Sequence, residues 1–376
     1  MLDSDIKTTL TRLKSTKIYG NLYDGIDDVH DFTQIPFLDE SRIRNADFGS
    51  LKKEDKGLYV YFTSGTTSKP KAIYYNADSI EYATEYLKWF CEIEGIAEKE
   101  RVVVLMDQYF WGVGYFTTQG HVRAGNTVIP IDTDLPREVI GDLIKASHPT
   151  VISSLPSVLI ELKDVLRSPD VKILETTGEL LAKQTRREIE TYFNAEIFDA
   201  YGLTEGIIGV ECRFHDGYHF LPNKAYLEII DLETDKVLQE DKWGELAITT
   251  FSHAVTPITR YKTKDICKIS QKKCPCGDKS PRVWVKGRNQ ETILLHEGSE
   301  LAVKDLEAII SKVYGKLIKH KIDFQKEGST TILRIWTIDT DAEKTKLMKS
   351  KIVNFNYETM HLSKRNKLRV VINGEV

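Results

Sequence analysis

The sequence predicts an α/β protein in two parts: a large layered α/β N-terminal domain with a β-rich subdomain, followed by a small mobile α+β C-terminal domain. Three observations lead there. At 376 residues the chain exceeds what one hydrophobic core usually organises, so two domains are expected. Between residues 58 and 265, β-rich runs alternate with helix-like stretches, the pattern of helices layered on a sheet. After Arg288 the text changes to the short strand and helix candidates of a smaller unit, which places a boundary at 287–290 and divides the chain into 1–286 and 287–376.

Taken in order, the first fifty residues are polar and charged, with apolar patches at 18–22 and 35–38; they read as helix and loop and show no chemistry. Strands are expected at 58–63, 101–106, 127–131 and 150–153, with helices at 78–94 and 136–146 between them. A helix at 183–193 runs into an apolar strand at 195–199. The stretches 226–231 and 244–250 read as an antiparallel pair, because a polar turn at 233–235 separates them. Beyond the boundary come strands at 291–295, 319–324, 330–337 and 368–372, and helices at 303–312 and 342–354.

Composition narrows the function classes. With 41% hydrophobic and 29% charged residues and no Pro-, Ser- or Gln-rich tract, the chain should fold throughout. A formal net charge of −4 without a basic stripe argues against nucleic acid as a partner. The opening MLDSDIKTTLTRLKS lacks the apolar core of a signal peptide, and no apolar run approaches the span of a bilayer; a cytoplasmic protein without a membrane partner is expected. Five cysteines in such a chain suit free thiols or metal ligands better than disulfides.

Two clusters carry chemistry. Tyr61-Phe62-Thr63-Ser64-Gly65-Thr66-Thr67-Ser68-Lys69-Pro70-Lys71 follows a strand and offers backbone N–H groups, hydroxyls and two ammonium groups to an anion. Its spacing is not the G-x-x-x-x-G-K-[ST] of the common nucleotide loop. Cys212-x₂-His215 and Cys274-Pro275-Cys276-Gly277 are two close pairs of soft ligands suited to tetrahedral zinc, with His219 and Cys267 as further candidates. Four protein ligands leave no open position, so the zinc would be structural.

The hydroxyl loop resembles the signature of the adenylate-forming superfamily of acyl-CoA synthetases, luciferases and adenylation domains. Asp199-Ala200-Tyr201-Gly202-Leu203-Thr204-Glu205 is similar to its second signature, which implies an aromatic ring on adenine, Thr204 at the phosphate and Glu205 on Mg²⁺. Thr259-Arg260-Tyr261-Lys262-Thr263-Lys264-Asp265 resembles the third and implies Asp265 on the ribose; lysine stands there where the family has Gly or Arg. Val285-Lys286-Gly287-Arg288 looks like the hinge entry, with Arg288 at the nucleotide, although Gln290 and Glu291 replace the usual Asp. Leu362-Ser363-Lys364-Arg365-Asn366-Lys367 resembles the segment of the catalytic lysine, here Lys367. The resemblance also places Gly178 and Glu179 with the nucleotide, and it runs from about Leu58 to the C-terminus.

Residues 107–115, 125–130, Glu211-Cys212 and Asp216-Gly217-Tyr218-His219 look closest to the phenylacetate–CoA ligase branch, which implies an acyl pocket walled by Tyr109, Phe110, Trp111, Gly112 and Tyr115. Aromatic faces and glycines together admit a flat apolar ligand. The implied reaction joins an aryl or short-chain carboxylic acid to AMP, using ATP and Mg²⁺, and then passes the acyl group to a thiol. That thiol could belong to CoA, to an acyl or peptidyl carrier protein, or to a protein cysteine as in acyl-protein synthetases. A homodimer is the expected assembly, and a non-catalytic nucleotide-binding relative is the rival of a different class.

Overall fold

The computed structural model describes residues 8–13, 18–25, 32–46, 49, 57–63, 70–251 and 255–288, and beyond these 292–294, 300–302, 306, 309, 313, 320–327, 330–337, 347–348 and 367–373. Its centre is an eleven-stranded mixed sheet. The strands β3 (Arg101–Leu105), β4 (Thr127–Ile131), β5 (Val151–Ser154), β6 (Ile173–Thr177) and β7 (Glu196–Leu203) pair in parallel. Beyond β7 the sheet turns antiparallel through β8 (Gly206–Glu211) and β9 (Tyr218–His219). Then come β13 (Arg282–Arg288), β12 (Tyr261–Ser270), β11 (Gly244–Thr250) and β10 (Ala225–Ile230). A two-stranded ribbon of β1 (Tyr59–Phe62) and β2 (Ala72–Tyr75) stands apart.

Sequence explains the parallel half. In β3, Val102 to Leu105 are fully buried, as a strand covered by helices on both faces requires. At the sheet's end lies β4, and its Pro130 removes a ladder donor where an edge must not recruit another strand. The helix Ala77–Glu94 starts at a reciprocal cap, with Asn76 accepting from Ser79 N and Ser79 Oγ accepting from Asn76 N, and stops at Gly95 in the left-handed region. The helices Arg137–Ser147 and Lys183–Phe193 agree with the reading from sequence.

Val113–Arg123, Pro156–Glu161 and Lys163–Leu166 were not read as helices from the sequence, and the longest of them has a clear reason. Val113–Arg123 contains Gly114 and Gly120, which lower helix propensity by about 1 kcal/mol each. Tertiary contact overrides that preference: a Cβ on Gly120 would lie 2.5 Å from Leu87 Cβ, so the glycine lets this helix close on Ala77–Glu94.

The chain divides into two compact units, one of residues 1–179, 189–263 and 267–284, the other of 180–188, 264–266 and 285–376. The second contains a hairpin of β14 (Thr292–Leu294) and β15 (Glu300–Ala302). It also holds a three-stranded sheet in which β17 (Thr330–Thr337) pairs antiparallel with β16 (His320–Glu327) and parallel with β18 (Lys367–Asn373). Most of the helices expected at 303–312 and 342–354 lies outside the described residues.

Candidate functional site

The hydroxyl loop is closed at its neck. Thr63 N donates to Lys71 O and Lys71 N donates to Thr63 Oγ1, each at 3.1 Å. Ser64, Gly65, Thr66 and Thr67 lie outside the described residues. Below the neck, Lys71 Nζ lies 2.5 Å from Glu205 Oε1 and 3.8 Å from Glu40 Oε1, and donates to Tyr261 Oη at 2.9 Å. Glu205 and Thr204 form the two-residue turn between β7 and β8, and Thr204 O accepts from Tyr75 Oη at 2.7 Å. The Glu205 side chain is only 4% exposed, and among the described residues its Oε1 accepts no hydrogen bond. A buried carboxylate oxygen in that condition is suited to a cation.

The rest of the second signature sits on β7 with its polar atoms engaged. Asp199 is buried; its Oδ1 accepts from Thr176 Oγ1 at 2.7 Å and its Oδ2 from Tyr218 Oη at 2.6 Å. Ala200 O accepts from Thr177 Oγ1. The Tyr201 ring lies 5.7 Å from that of Tyr218, and the ladder shifts register between Tyr201 and Gly202. Gly178, with φ 79°, ends β6, and Glu179 accepts from both N and Oγ of Ser157, capping the helix Pro156–Glu161. In the second unit, Asp265 is buried within β12. Arg288 closes β13 and Lys367 opens β18.

The rings expected to wall an acyl pocket differ in exposure. Tyr109 is 78% exposed, Phe110 47% and Trp111 40%, on a turn whose three backbone N–H groups all donate to Asp107 Oδ1. The turn consumes the backbone's local partners and leaves the rings outside the core. A second ring cluster joins the buried Tyr61 and Tyr75 to the half-buried Tyr115 and Phe116, with Tyr59 stacked on Tyr115 at 5.8 Å. Gly112 belongs with it: φ is 75°, and a Cβ would meet the Tyr61 ring at 2.7 Å. The meeting of Tyr61, Tyr75 and Phe116 was not legible because nothing in the sequence joins the β1–β2 ribbon to the helix Val113–Arg123.

A buried acidic group was also missed. His121 Nε2 lies 2.9 Å from Glu175 Oε2, and His121 Nδ1 lies 3.6 Å from Cys91 Sγ. Glu94 hydrogen-bonds to Glu175. Burial, then the Glu175 charge, raises the Glu94 carboxyl well above its ordinary value; burial also acts on Glu175, but His121 brings it out below.

The soft-ligand pairs do converge. Donor atoms of Cys212, His219, Cys274 and Cys276 all lie within 4.8 Å of one another. Cys212 Sγ is 3.6 Å from Cys274 Sγ, and Cys276 Sγ is 3.5 Å from His219 Nε2. Thiolates about 2.3 Å from a tetrahedral zinc ion lie about 3.8 Å apart, so these residues fit one. His219 Nδ1 meets Ser280 Oγ at 3.0 Å, the outer partner that fixes which ring nitrogen ligates. His215 is not in the group; its Nδ1 lies 3.3 Å from Glu211 and its Nε2 3.6 Å from Glu196. His215 N donates to Cys212 O in a tight turn that ends before β9, the strand that carries His219 to the knuckle.

Comparison with known proteins was decisive for the family. The model of the AMP-binding enzyme family matches residues 17–254. The chain belongs to the AMP-binding enzyme family. Among the relatives of this AMP-binding enzyme is the phenylacetate-coenzyme A ligase of Thermus thermophilus, 26% identical over 81% of this chain and 71% of that one. The corresponding enzyme of Pseudomonas putida is 27% identical over 64% of this chain, which spans 58% of its length. A D-alanine–D-alanyl carrier protein ligase of Listeria welshimeri is 26% identical over 79% of this chain and 62% of its own. Among solved structures, 2-hydroxyisobutyryl-CoA ligase in the postadenylation state shares the fold with a TM-score of 0.75 at 16% identity, covering 98% of this chain and 86% of that one. The resemblance to the phenylacetate–CoA ligase branch and the α/β fold class both stand. Among the described residues no helix is long and apolar enough to cross a membrane.

Proposed function

We propose that this protein activates a small aryl or short-chain carboxylic acid with ATP and transfers the acyl group to a thiol, of CoA or of a carrier protein. Glu205 is the observation that carries this reading: a buried carboxylate oxygen without a hydrogen bond, beside Lys71 at the neck of a hydroxyl loop. Glu205 would hold Mg²⁺, which neutralises phosphate charge when bound. In the first half-reaction a substrate carboxylate oxygen bonds to the α-phosphorus while the bond to pyrophosphate breaks. Thr63 and Lys71 hold the loop closed around the phosphates, Asp265 takes the ribose hydroxyls, Arg288 contacts the nucleotide and Lys367 stabilises the developing oxyanions. The thiolate then attacks the acyl carbon and AMP leaves. Residues 287–376 act as the lid that excludes water from the anhydride.

Phenylacetate–CoA and D-alanyl carrier relatives support an acid–thiol ligase. Cys212, His219, Cys274 and Cys276 hold a structural Zn²⁺, and the setting is cytoplasmic. ATP–pyrophosphate exchange over a panel of aryl and short-chain acids tests the first half-reaction; adding CoA or a carrier protein identifies the acceptor. Lys367→Ala is expected to abolish exchange and leave thioester formation from supplied acyl-adenylate intact. Equal loss of both steps would remove Lys367 from this role.

A further inference from the structure

Lys71 is shared by three groups from distant parts of the chain. Its Nζ touches Glu205 from the β7–β8 turn at 2.5 Å, Tyr261 from the start of β12 at 2.9 Å, and Glu40 from the first fifty residues at 3.8 Å. The arrangement is built. Leu38 pairs with Tyr261 like a strand residue: Leu38 N donates to Arg260 O at 3.1 Å and Lys262 N donates to Leu38 O at 2.9 Å. The next residue, Asp39, caps the helix Glu40–Arg44 by accepting from Arg42 N, so Glu40 opens that helix. One bridge therefore delivers both the Tyr261 hydroxyl and the Glu40 carboxylate to the same ammonium group. Arg44 pairs with Glu40 and holds the carboxylate in place.

The contact with Glu205 differs from the other two. It is an ion pair without a hydrogen bond to Oε1, and the carboxylate is almost wholly buried. Burying a carboxylate there requires a counter-charge at all times, and an incoming divalent cation cannot share the same oxygen with an ammonium group at 2.5 Å. Glu205 has to exchange one cation for the other. Lys71, itself only 10% exposed in its side chain, then needs a second anionic partner, and Glu40 already stands within reach at 3.8 Å.

We propose that Lys71 is the resting counter-ion of Glu205 and that Glu40 receives it when a metal–nucleotide complex loads, which makes Glu40 a positioning residue of the site. This rests on the reading of Glu205 as the metal-binding carboxylate. It assigns a role in the nucleotide site to a segment whose sequence shows none. Exchange between two fixed acceptors keeps the charge around Lys71 nearly constant, so the loop neck need not open to water during loading.

The test uses Mn²⁺ as the probe, with binding of Mn·ATP to the full-length protein read by electron paramagnetic resonance. Glu40→Gln is expected to raise the dissociation constant on the order of tenfold, because Lys71 stays on Glu205. In a Lys71→Met background the same Glu40→Gln change is expected to do nothing. Lys71→Met alone should let Mn²⁺ bind without nucleotide more tightly than wild type does. If Lys71→Met does not fold, Lys71→Gln serves as the background. Equal Mn·ATP affinity in wild type and Glu40→Gln, or a Glu40 effect that persists without Lys71, overturns the proposal. Failure of wild type to bind Mn·ATP at all would instead sink the reading of the site on which the proposal stands.

Discussion

Lys264 stands inside β12 with φ 67°, a region that an L-residue enters at a cost of about 1–2 kcal/mol and glycine enters freely. Lys264→Gly is expected to raise stability by about 1 kcal/mol, read as a higher urea midpoint at unchanged slope; a lower midpoint would mean that contacts of the lysine outweigh the strain. Glu94 makes a second prediction. Glu175, Glu211, Asp199 and Cys91 act on it in the interior, and its carboxyl titrates well above the ordinary value because of burial first and Glu175 second. A folded-state value raised above the unfolded one means stability that is complete below about pH 4.3 and is lost as pH rises through the folded value. Glu94→Gln should remove that loss, so melting temperatures of variant and wild type should diverge as pH rises above about 4.3, with the variant higher. Parallel curves would show that the Glu94 carboxyl titrates alike in the folded and unfolded chain. None of this was legible in the sequence, because Glu175, Glu211 and Asp199 lie far from Glu94 along the chain.

At the scale of elements, Arg260 ties residues 33–35 to the sheet. Its Nε and Nη2 donate to the two oxygens of Glu228 at 2.9 Å, Nη1 donates to Ile35 O and to Thr33 O, and the guanidinium lies 3.9 Å from the Phe37 ring. Arg260 and Glu228 are both nearly fully buried. Arg260→Met leaves Glu228 as an unpaired interior charge and should cost roughly 3–5 kcal/mol, measured by chemical denaturation, whereas adding Glu228→Gln should recover much of that loss. From sequence an Arg-Tyr pair reads as a packed surface strand, because the partners that bury it arrive from distant segments, Ile35 being 225 residues away along the chain. The metal knuckle acts at the same scale, joining the end of β8, β9 and the β12–β13 connection. Burial pushes the Cys212 thiol up to about 12, so a thiolate there needs a cation beside it. Metal analysis is expected to return one zinc per chain, and a strong chelator should lower the melting temperature by several degrees; a protein that purifies without metal and melts unchanged would rule the knuckle out.

For the molecule as a whole, the proposed boundary predicts that a chain ending at Lys286 keeps zinc and one cooperative thermal transition yet has no pyrophosphate exchange, since Lys367 is gone. A truncated chain that unfolds without cooperativity would show that the C-terminal residues belong to the same folding unit. The contact pattern gives this test its edge, because 180–188 and 264–266 group with the C-terminal unit, a union of separated segments that no reading along the chain proposes.

Local grammar alone determined much of this protein. Alternating strand and helix periods announced the α/β sheet, and small hydroxyl residues ending in Lys-Pro-Lys singled out the segment whose neck Thr63 and Lys71 close. Closely spaced cysteines announced a knuckle, because each of these signals lives within a short stretch of chain and arises from backbone periodicity or ligand spacing. Only the tertiary structure decided that His219 rather than His215 joins the cysteines, that the rings of Tyr61 and Tyr75 cluster with that of Phe116, and that Glu40 reaches Lys71. Those outcomes depend on which distant strands become neighbours, and burial and charge pairing are properties of neighbours in space, about which a single stretch of chain carries no information.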